Sequence, residues 1–270
     1  MTQTHRHERY RLDGPWRTGV VILAAGRGER FGRGPKALLE LAGRPLVEHV
    51  AAAMAANERV ACLVVATGDA LVERIEALLR RAALPVPVRV VPGGSTRQQS
   101  ARAGLAALPQ DAQWVAFTDV ARPLVPPGVV DVLADRVREH ARSAGADRQP
   151  CGAAPVVPVV DSVHLVADGG VLARPFDREL LRAAQTPQFF RRDCIADAQD
   201  IAEHEGTVHT DDVGLMSRVG GTVVSAPGTA ANLKITFPAD LALAEALYAR
   251  RAAAGAKAGA EAVTGSAASA

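Results

Sequence analysis

The stretch Val20-Val21-Ile22-Leu23-Ala24-Ala25-Gly26-Arg27-Gly28-Glu29-Arg30-Phe31-Gly32-Arg33-Gly34-Pro35-Lys36 changes character halfway along. Its first part is an apolar, β-branched run, which suits a strand buried on both faces. Its second part carries four glycines, three arginines and a closing Pro-Lys. A strand that feeds a Gly-rich basic loop is an anion-binding turn. Glycine admits positive φ and close approach of a ligand, backbone N–H groups converge on the anion, and Arg and Lys neutralise it. A dinucleotide-binding turn would need a helix to open directly after the glycines. Gly32, Gly34 and Pro35 prevent that. No Gly-Lys-Ser/Thr occurs in the loop either, so it is not a Walker loop. A long basic loop holding a triphosphate fits best.

Beyond this loop, apolar runs alternate with amphipathic segments. Strands are expected over 19–24, 60–66, 86–91 and 114–118, with helices over 45–56, 69–82, 98–108 and 129–141. Such alternation predicts an α/β fold with a mostly parallel sheet and right-handed crossovers. Ligands then bind outside the carboxyl ends of the strands. Three loops of suitable chemistry fall at that edge: 24–36, 92–97 and 118–123. After a further strand over 151–160 the alternation breaks. Residues 161–175 read as a projecting β-hairpin arm, whose open edges a second subunit would cover. A short helical segment is expected over 178–184, helices over 192–205 and 211–219, a strand over 222–226, and a last helix over 238–251. Asp211 suits either a helix cap or a ligand. The reading is one domain over 18–251, between a polar tail, 1–17, and an Ala/Gly/Ser low-complexity tail, 252–270, both expected to be mobile.

Composition narrows the class. The 270 residues are 48% hydrophobic but only 4% aromatic, so the core must be built from Ala, Val and Leu. A formal net charge of +2 argues against an extended nucleic-acid surface. Cys62, Cys151 and Cys194 are far apart and show no C-x-x-C spacing, so neither a zinc site nor a disulfide framework is expected, and a reducing cytoplasm fits. No apolar run approaches the ~20 residues of a membrane span. The first residues lack the apolar core of a signal peptide.

The motifs make a narrower resemblance. Ala24-Ala25-Gly26-Arg27-Gly28-Glu29-Arg30 with Pro35-Lys36 is similar to the signature of sugar-phosphate nucleotidyltransferases. Gly93-Gly94-Ser95-Thr96-Arg97-Gln98-Gln99-Ser100, Asp119-Val120-Ala121-Arg122-Pro123, Asp161-Ser162, Gln185-Thr186-Pro187-Gln188, Thr210-Asp211-Asp212 and Asn232-Leu233-Lys234-Ile235-Thr236 follow in order. Together, over about 18–250, they resemble the 2-C-methyl-D-erythritol 4-phosphate cytidylyltransferase family of non-mevalonate isoprenoid synthesis. The resemblance implies a Rossmann-like three-layer α/β/α nucleotidyltransferase fold and a homodimer joined through the hairpin arm. It also implies Mg²⁺ as cofactor, and transfer of a cytidylyl group from CTP to a polyol phosphate with release of pyrophosphate.

Carried over by motif, the resemblance assigns Arg30 and Lys36 to the triphosphate and Lys234 to the α-phosphate. It assigns Ala24, Ala25, Gly26, Gly93, Gly94 and Ser100 to cytosine and ribose, and Asp119 to the ribose, metal or polyol. Arg122, Ser162, Thr186 and Arg178 fall to the polyol phosphate, with Arg178 donated by a second subunit. Arg97 is read as a brace of the second loop, and Arg27 and Arg33 as solvated charges. Asp212, His204 and His209 are read as surface residues. Two positions depart from the family pattern. Thr118 stands where the family usually has His, and Ser162-Val163-His164 where it has Thr-x-Lys. Both lie on the acceptor side, which leaves another polyol phosphate such as ribitol 5-phosphate as an alternative acceptor. A catalytically lapsed nucleotide-binding module is the remaining alternative; its mark would be loss of Lys36 or Lys234, and both are present.

Overall fold

The computed structural model describes residues 16–26, 28, 31–32, 34–143 and 149–267. β1 (Thr18–Ala24) is buried at every position. After the basic loop, a small hairpin of β2 (Glu40–Leu41) and β3 (Arg44–Pro45) leads into α1 (Leu46–Ala55). Then β4 (Val60–Thr67), α2 (Val72–Arg81), β5 (Val88–Pro92), α3 (Arg97–Ala107), β6 (Trp114–Asp119) and α4 (Val129–Ser143) alternate as the sequence predicts. β7 (Gly152–Pro158) is followed by β8 (His164–Val166) and β9 (Leu172–Pro175), which pair antiparallel as the projecting hairpin. β10 (Arg182–Ala184), β11 (Gln188–Arg191), α5 (Arg192–Glu205), α6 (Asp212–Arg218), β12 (Val223–Pro227) and α7 (Pro238–Ala267) complete the chain.

One eight-stranded sheet runs β10-β7-β11-β6-β1-β4-β5, with β12 on β7. β1 pairs in parallel with β4 and β6, and β4 with β5, whereas β11 and β10 run antiparallel to their neighbours. The period-two alternation of a strand divides β1 between two cores. Val20 and Ile22 pack on one face with Leu46 and Val50 of α1 and Leu133 of α4. Val21 and Leu23 pack on the other with Ala101 of α3, Ile195 of α5 and Leu215 of α6. The register fixes the functional edge: Leu23 lies opposite Asp119, Ala24 opposite Thr67, and Thr67 opposite Pro92. The loops after β1, β5 and β6 therefore leave the sheet side by side.

Three expectations need correction. Residues 178–184 are not helical: after turns around Asp177–Leu181, β10 pairs with β7, Arg182 opposite Pro158. The outer edge of β7 has backbone groups to satisfy, and that pairing overrides weak local helix propensity. The domain begins by Trp16, which is 2% exposed, stacks on Trp114 at 4.2 Å and lies under the Arg138 guanidinium; the rest of the expected polar tail, 1–15, lies outside the described residues. At the other end, α7 continues past Arg251 to Ala267. The segment is rich in alanine, the residue with the best intrinsic helix propensity.

Candidate active site

A cleft of about 850 Å³ opens at the carboxyl edge of the sheet. Ala25, Gly26, Gly28, Lys36, Gly93, Gly94, Ser100, Asp119 and Lys234 line it, and Ala24 ends β1 beneath it. Residues from four separate sequence motifs thus meet in one hollow. A second hollow, of about 780 Å³, lies near Trp16, Asn57 and Asp131. Its Arg59 pairs with Asp131 at 2.5 Å, and Asn57 bonds the same carboxylate at 2.7 Å, so these polar groups are already matched to one another.

The second loop forms a rigid floor. Gly93 donates its N–H to the Thr67 carbonyl at 2.6 Å. A Cβ there would stand 2.8 Å from Ser100 Oγ and 2.9 Å from Ala25 Cβ, closer than real side chains approach. Glycine is what lets the two loops touch. Ser100, 2% exposed, accepts from Gly94 N–H at 3.1 Å and donates to the Thr96 carbonyl at 3.0 Å. Thr96 closes a capping box: its hydroxyl accepts from Gln99 N–H, and Gln99 Oε1 accepts from Thr96 N–H. The cap fixes the start of α3, so its positive dipole end points to the cleft edge.

Of the first loop, Gly28 has φ +71°, and its carbonyl accepts from Phe31 and Gly32 N–H at 2.8 and 3.0 Å. Phe31, 4% exposed, anchors that turn in the core. Arg27, Arg30 and Arg33 lie outside the described residues. Lys36 opens a single 3₁₀ turn and donates from Nζ to the Ile235 carbonyl at 2.8 Å. That bond sets the Lys36 head beside the Lys234 segment.

A row of alternating charges crosses the cleft. Lys234 Nζ stands 2.7 Å from Asp119 Oδ2, and Arg97 Nε 3.5 Å from Asp119 Oδ1. Arg97 Nη2 lies 2.8 Å from Asp212 Oδ2. Neither of those last two atoms has a well-aligned hydrogen-bond partner, so that contact is chiefly Coulombic. Burial pushes the Asp119 carboxyl up, but Lys234, Arg97 and Arg122 outweigh it and hold the group below the usual carboxylate range. Burial likewise pushes Asp212 up, and there Arg97 does not fully compensate. Arg97, desolvated but facing both carboxylates, is raised above the ordinary arginine value and stays charged.

The loop carrying Lys234 is held from below. Ile235 N–H bonds the Ala121 carbonyl at 2.8 Å, and Arg122 Nη1 bonds the Asn232 carbonyl at 2.6 Å. Asn232 Nδ2 in turn bonds the Thr186 carbonyl at 2.9 Å. Arg122 is thus buried, 8% exposed, and braces this loop through Nη1. Thr186 is also buried, and its hydroxyl accepts from Asp119 N–H at 3.0 Å and sits 3.5 Å from the Thr118 hydroxyl. Ser162 and Arg178 stand apart, exposed on the arm, where Arg178 Nη1 bonds the Val160 carbonyl at 3.2 Å.

Two roles were missed by sequence reasoning. Asp212 is not a surface residue but 1% exposed and bound to Arg97. Arg97 faces the cleft and ties two carboxylates together rather than only bracing its loop. The paired acids Asp211-Asp212 were the available signal. Asp211 caps α6 by accepting from Gly214 N–H at 2.8 Å, which leaves Asp212 at the first helical position, pointing inward. His209 is half-buried, and its N–H is taken by Gln98 Oε1 at 3.0 Å.

A parallel-sheet edge with a glycine-floored cleft, two lysines and a cation-bound aspartate suits the transfer of a nucleotidyl group, the chemistry of a nucleotidyltransferase. The family profile of 2-C-methyl-D-erythritol 4-phosphate cytidylyltransferase, IspD, matches residues 18–250. The chain belongs to that family. A relative of this name from Streptomyces coelicolor is 42% identical over 250 residues, 88% of this chain and 87% of the relative. One from Deinococcus radiodurans is 41% identical over 234 residues, covering 86% and 89%. The crystal structure of 2-C-methyl-D-erythritol 4-phosphate cytidylyltransferase from Thermus thermophilus superposes with a TM-score of 0.64 at 35% identity, covering 85% of this chain and 97% of that one.

Proposed function

We infer that this chain transfers the cytidylyl group of CTP to 2-C-methyl-D-erythritol 4-phosphate, forming 4-diphosphocytidyl-2-C-methyl-D-erythritol and pyrophosphate. The observation that carries the reading is the meeting of Lys36 and Lys234 over the Gly93–Ser100 floor of one cleft. The acceptor phosphate oxygen attacks the α-phosphorus of CTP in line, and the bond to the bridging oxygen of pyrophosphate breaks. The nucleophile is already anionic at neutral pH, so the reaction needs no strong base. It needs neutralisation of charge, because two anions meet and a third departs. Lys36 faces the triphosphate, and Lys234 exchanges its contact with Asp119 for the α-phosphate. Asp119 keeps a counter-ion throughout, because Arg97 remains beside it. Backbone groups of the floor and the Ser100 hydroxyl offer the donors and acceptors a cytosine edge requires.

The donor set fits Mg²⁺ held mainly by the phosphates, with Asp119 as the cleft carboxylate that would reach it beside the lysines. Among the described residues no group of three or more His, Cys, Asp or Glu could hold a metal alone. When bound, Mg²⁺ supplies charge neutralisation on the phosphates.

A homodimer joined through the arm belongs to the same proposal. Leu165, Val166, Val171 and Leu172 are half or more exposed along the hairpin, and a second copy would cover them and bring its Arg178 near Ser162. A cytoplasmic location follows from the reading, since nucleoside triphosphate and sugar phosphate are held inside the cell. Among the described residues no helix is long and apolar enough to cross a membrane. Pyrophosphate release from CTP and Mg²⁺, measured with each acceptor in turn, tests the function. Release with 2-C-methyl-D-erythritol 4-phosphate supports it; release with ribitol 5-phosphate alone would transfer the assignment to that acceptor.

A further inference from the structure

Lys234 lies on a segment, 232–237, that leads from Asn232 into α7. Its first half is held by the body of the protein. Arg122 bonds the Asn232 carbonyl, and Ile235 is fully buried, with its N–H on the Ala121 carbonyl and its own carbonyl taking Lys36 Nζ. Beyond Ile235 packing gives out: Phe237 is 54% exposed, and Pro238 and Ala239 are exposed as well. What holds the second half is Asp240. Its Oδ2 accepts from Thr236 N–H and from Phe237 N–H, both at 2.7 Å. Asp240 N–H in turn bonds the Phe237 carbonyl at 3.0 Å. The helix behind it is fixed on the core, with Ala244 fully buried, Leu241 and Leu247 packed beside it, and the Tyr248 ring edge-on to His49 of α1 at 5.2 Å.

We propose that Asp240 is a positioning residue for nucleotidyl transfer, orienting the Lys234 segment over the cleft through Thr236. The proposal rests on the reading of Lys234 as the group that meets the α-phosphate. Phe237 N–H is a donor left open at a helix start, and a carboxylate in the first turn that reaches back to it is half of a capping box. Thr236 N–H precedes the helix, so the bond to it is more than a cap. The Thr236 hydroxyl donates to the Lys234 carbonyl at 3.2 Å. Two hydrogen bonds therefore lead from the Asp240 carboxylate to the Lys234 backbone. The first is made to an ionised acceptor, which is stronger than a neutral pair. The Lys234 head is 42% exposed and must exchange Asp119 for a phosphate, so its own contacts do not fix where it starts. The backbone below it does, and a misplacement of about 1 Å in such a group can cost about 10²-fold in rate.

The test is a double-mutant cycle on the full-length chain, with pyrophosphate release from CTP, Mg²⁺ and 2-C-methyl-D-erythritol 4-phosphate as the readout. Asp240→Ala should lower kcat by about 10- to 100-fold and leave the KM for CTP within about threefold, because Lys234 acts on the transition state. Asp240→Asn should stay within about threefold of wild type in kcat, since both bonds fall on one oxygen and the amide oxygen can accept them. In a Lys234→Met background, Asp240→Ala should cost less than about threefold further, because the residue it positions is gone. Thr236→Val keeps the cap on α7 and removes only the hydroxyl link; it should lower kcat in the same direction, and it decides the question where Asp240→Ala does not fold. Wild-type kcat in Asp240→Ala and Thr236→Val, beside a slowed Lys234→Met, overturns the proposal and leaves the reading of Lys234 intact. An undiminished loss in the Lys234→Met background also overturns it, since the effect then bypasses the lysine. Wild-type kcat in Lys234→Met itself removes the reading and the proposal together.

Discussion

Replacing Lys234 with Met separates a catalytic lysine from a structural one. Its Nζ stands 2.7 Å from Asp119 Oδ2, so an ion pair must be broken before it can serve a phosphate. At the dielectric constant of water a pair at that distance is worth about 1.5 kcal/mol by Coulomb's law. The Lys234 side chain is 42% exposed and that of Asp119 12%, so solvent screens the lysine end of the pair. Exposed pairs contribute about 0.2–1 kcal/mol. A donor aimed at charge that develops in the transition state is worth about 2.7–4 kcal/mol. The exchange from carboxylate to phosphate is therefore favourable, and the catalytic term dominates. Lys234→Met should lower kcat for pyrophosphate release by about 10²–10³-fold. Its unfolding free energy in urea should change by about 1 kcal/mol or less, because Arg97 still neutralises Asp119. Steady-state turnover and urea unfolding on one preparation measure both. A kcat within about threefold of wild type, with a loss of several kcal/mol in stability, would refute the reasoning and leave Lys234 a structural residue.

Lys36→Ala should cost about 10²-fold in kcat, while the lost bond to the Ile235 carbonyl removes about 1 kcal/mol of stability, read by the same two assays. Gly93→Ala should raise the KM for CTP and destabilise by about 1–3 kcal/mol, since its new methyl meets Ser100 and Ala25; calorimetry against CTP titration separates the two effects. Asp119→Asn should be less stable than wild type at neutral pH. The folded carboxyl is held below its unfolded value, so its contribution is present above that value of about 3.9 and is lost as pH falls through the lower folded one. Unfolding curves across acid pH should show the gap between the two proteins closing only below that point. Removal of residues 163–175 should convert a dimer to a monomer in sedimentation equilibrium; an unchanged mass would place the subunit contact elsewhere.

The central sheet was legible because β1 and β4 are long, mostly apolar runs and its helices carry clear stripes, as with Ile75 and Leu79 of α2. The cleft was legible because three Gly-rich or acidic loops fall at strand ends, and parallel topology brings such ends together. What escaped was set by contacts distant in sequence. β10 forms because β7 offers an open edge, not because Arg182–Ala184 favours a strand. Asp212 looks like a solvated acid until the cap at Asp211 turns it inward onto Arg97. The arm appears as a hairpin in sequence and in structure alike, with Ser162 and Arg178 exposed at its two ends.

The most direct test follows the phosphorus. CTP labelled at the α-phosphorus or at the γ-phosphorus is incubated with Mg²⁺, 2-C-methyl-D-erythritol 4-phosphate and the protein. Attack at the position addressed by Lys36 and Lys234 carries the α label into the polyol product and leaves the γ label in pyrophosphate. Transfer of the γ label to the acceptor, or recovery of both labels in unreacted CTP, would contradict the account.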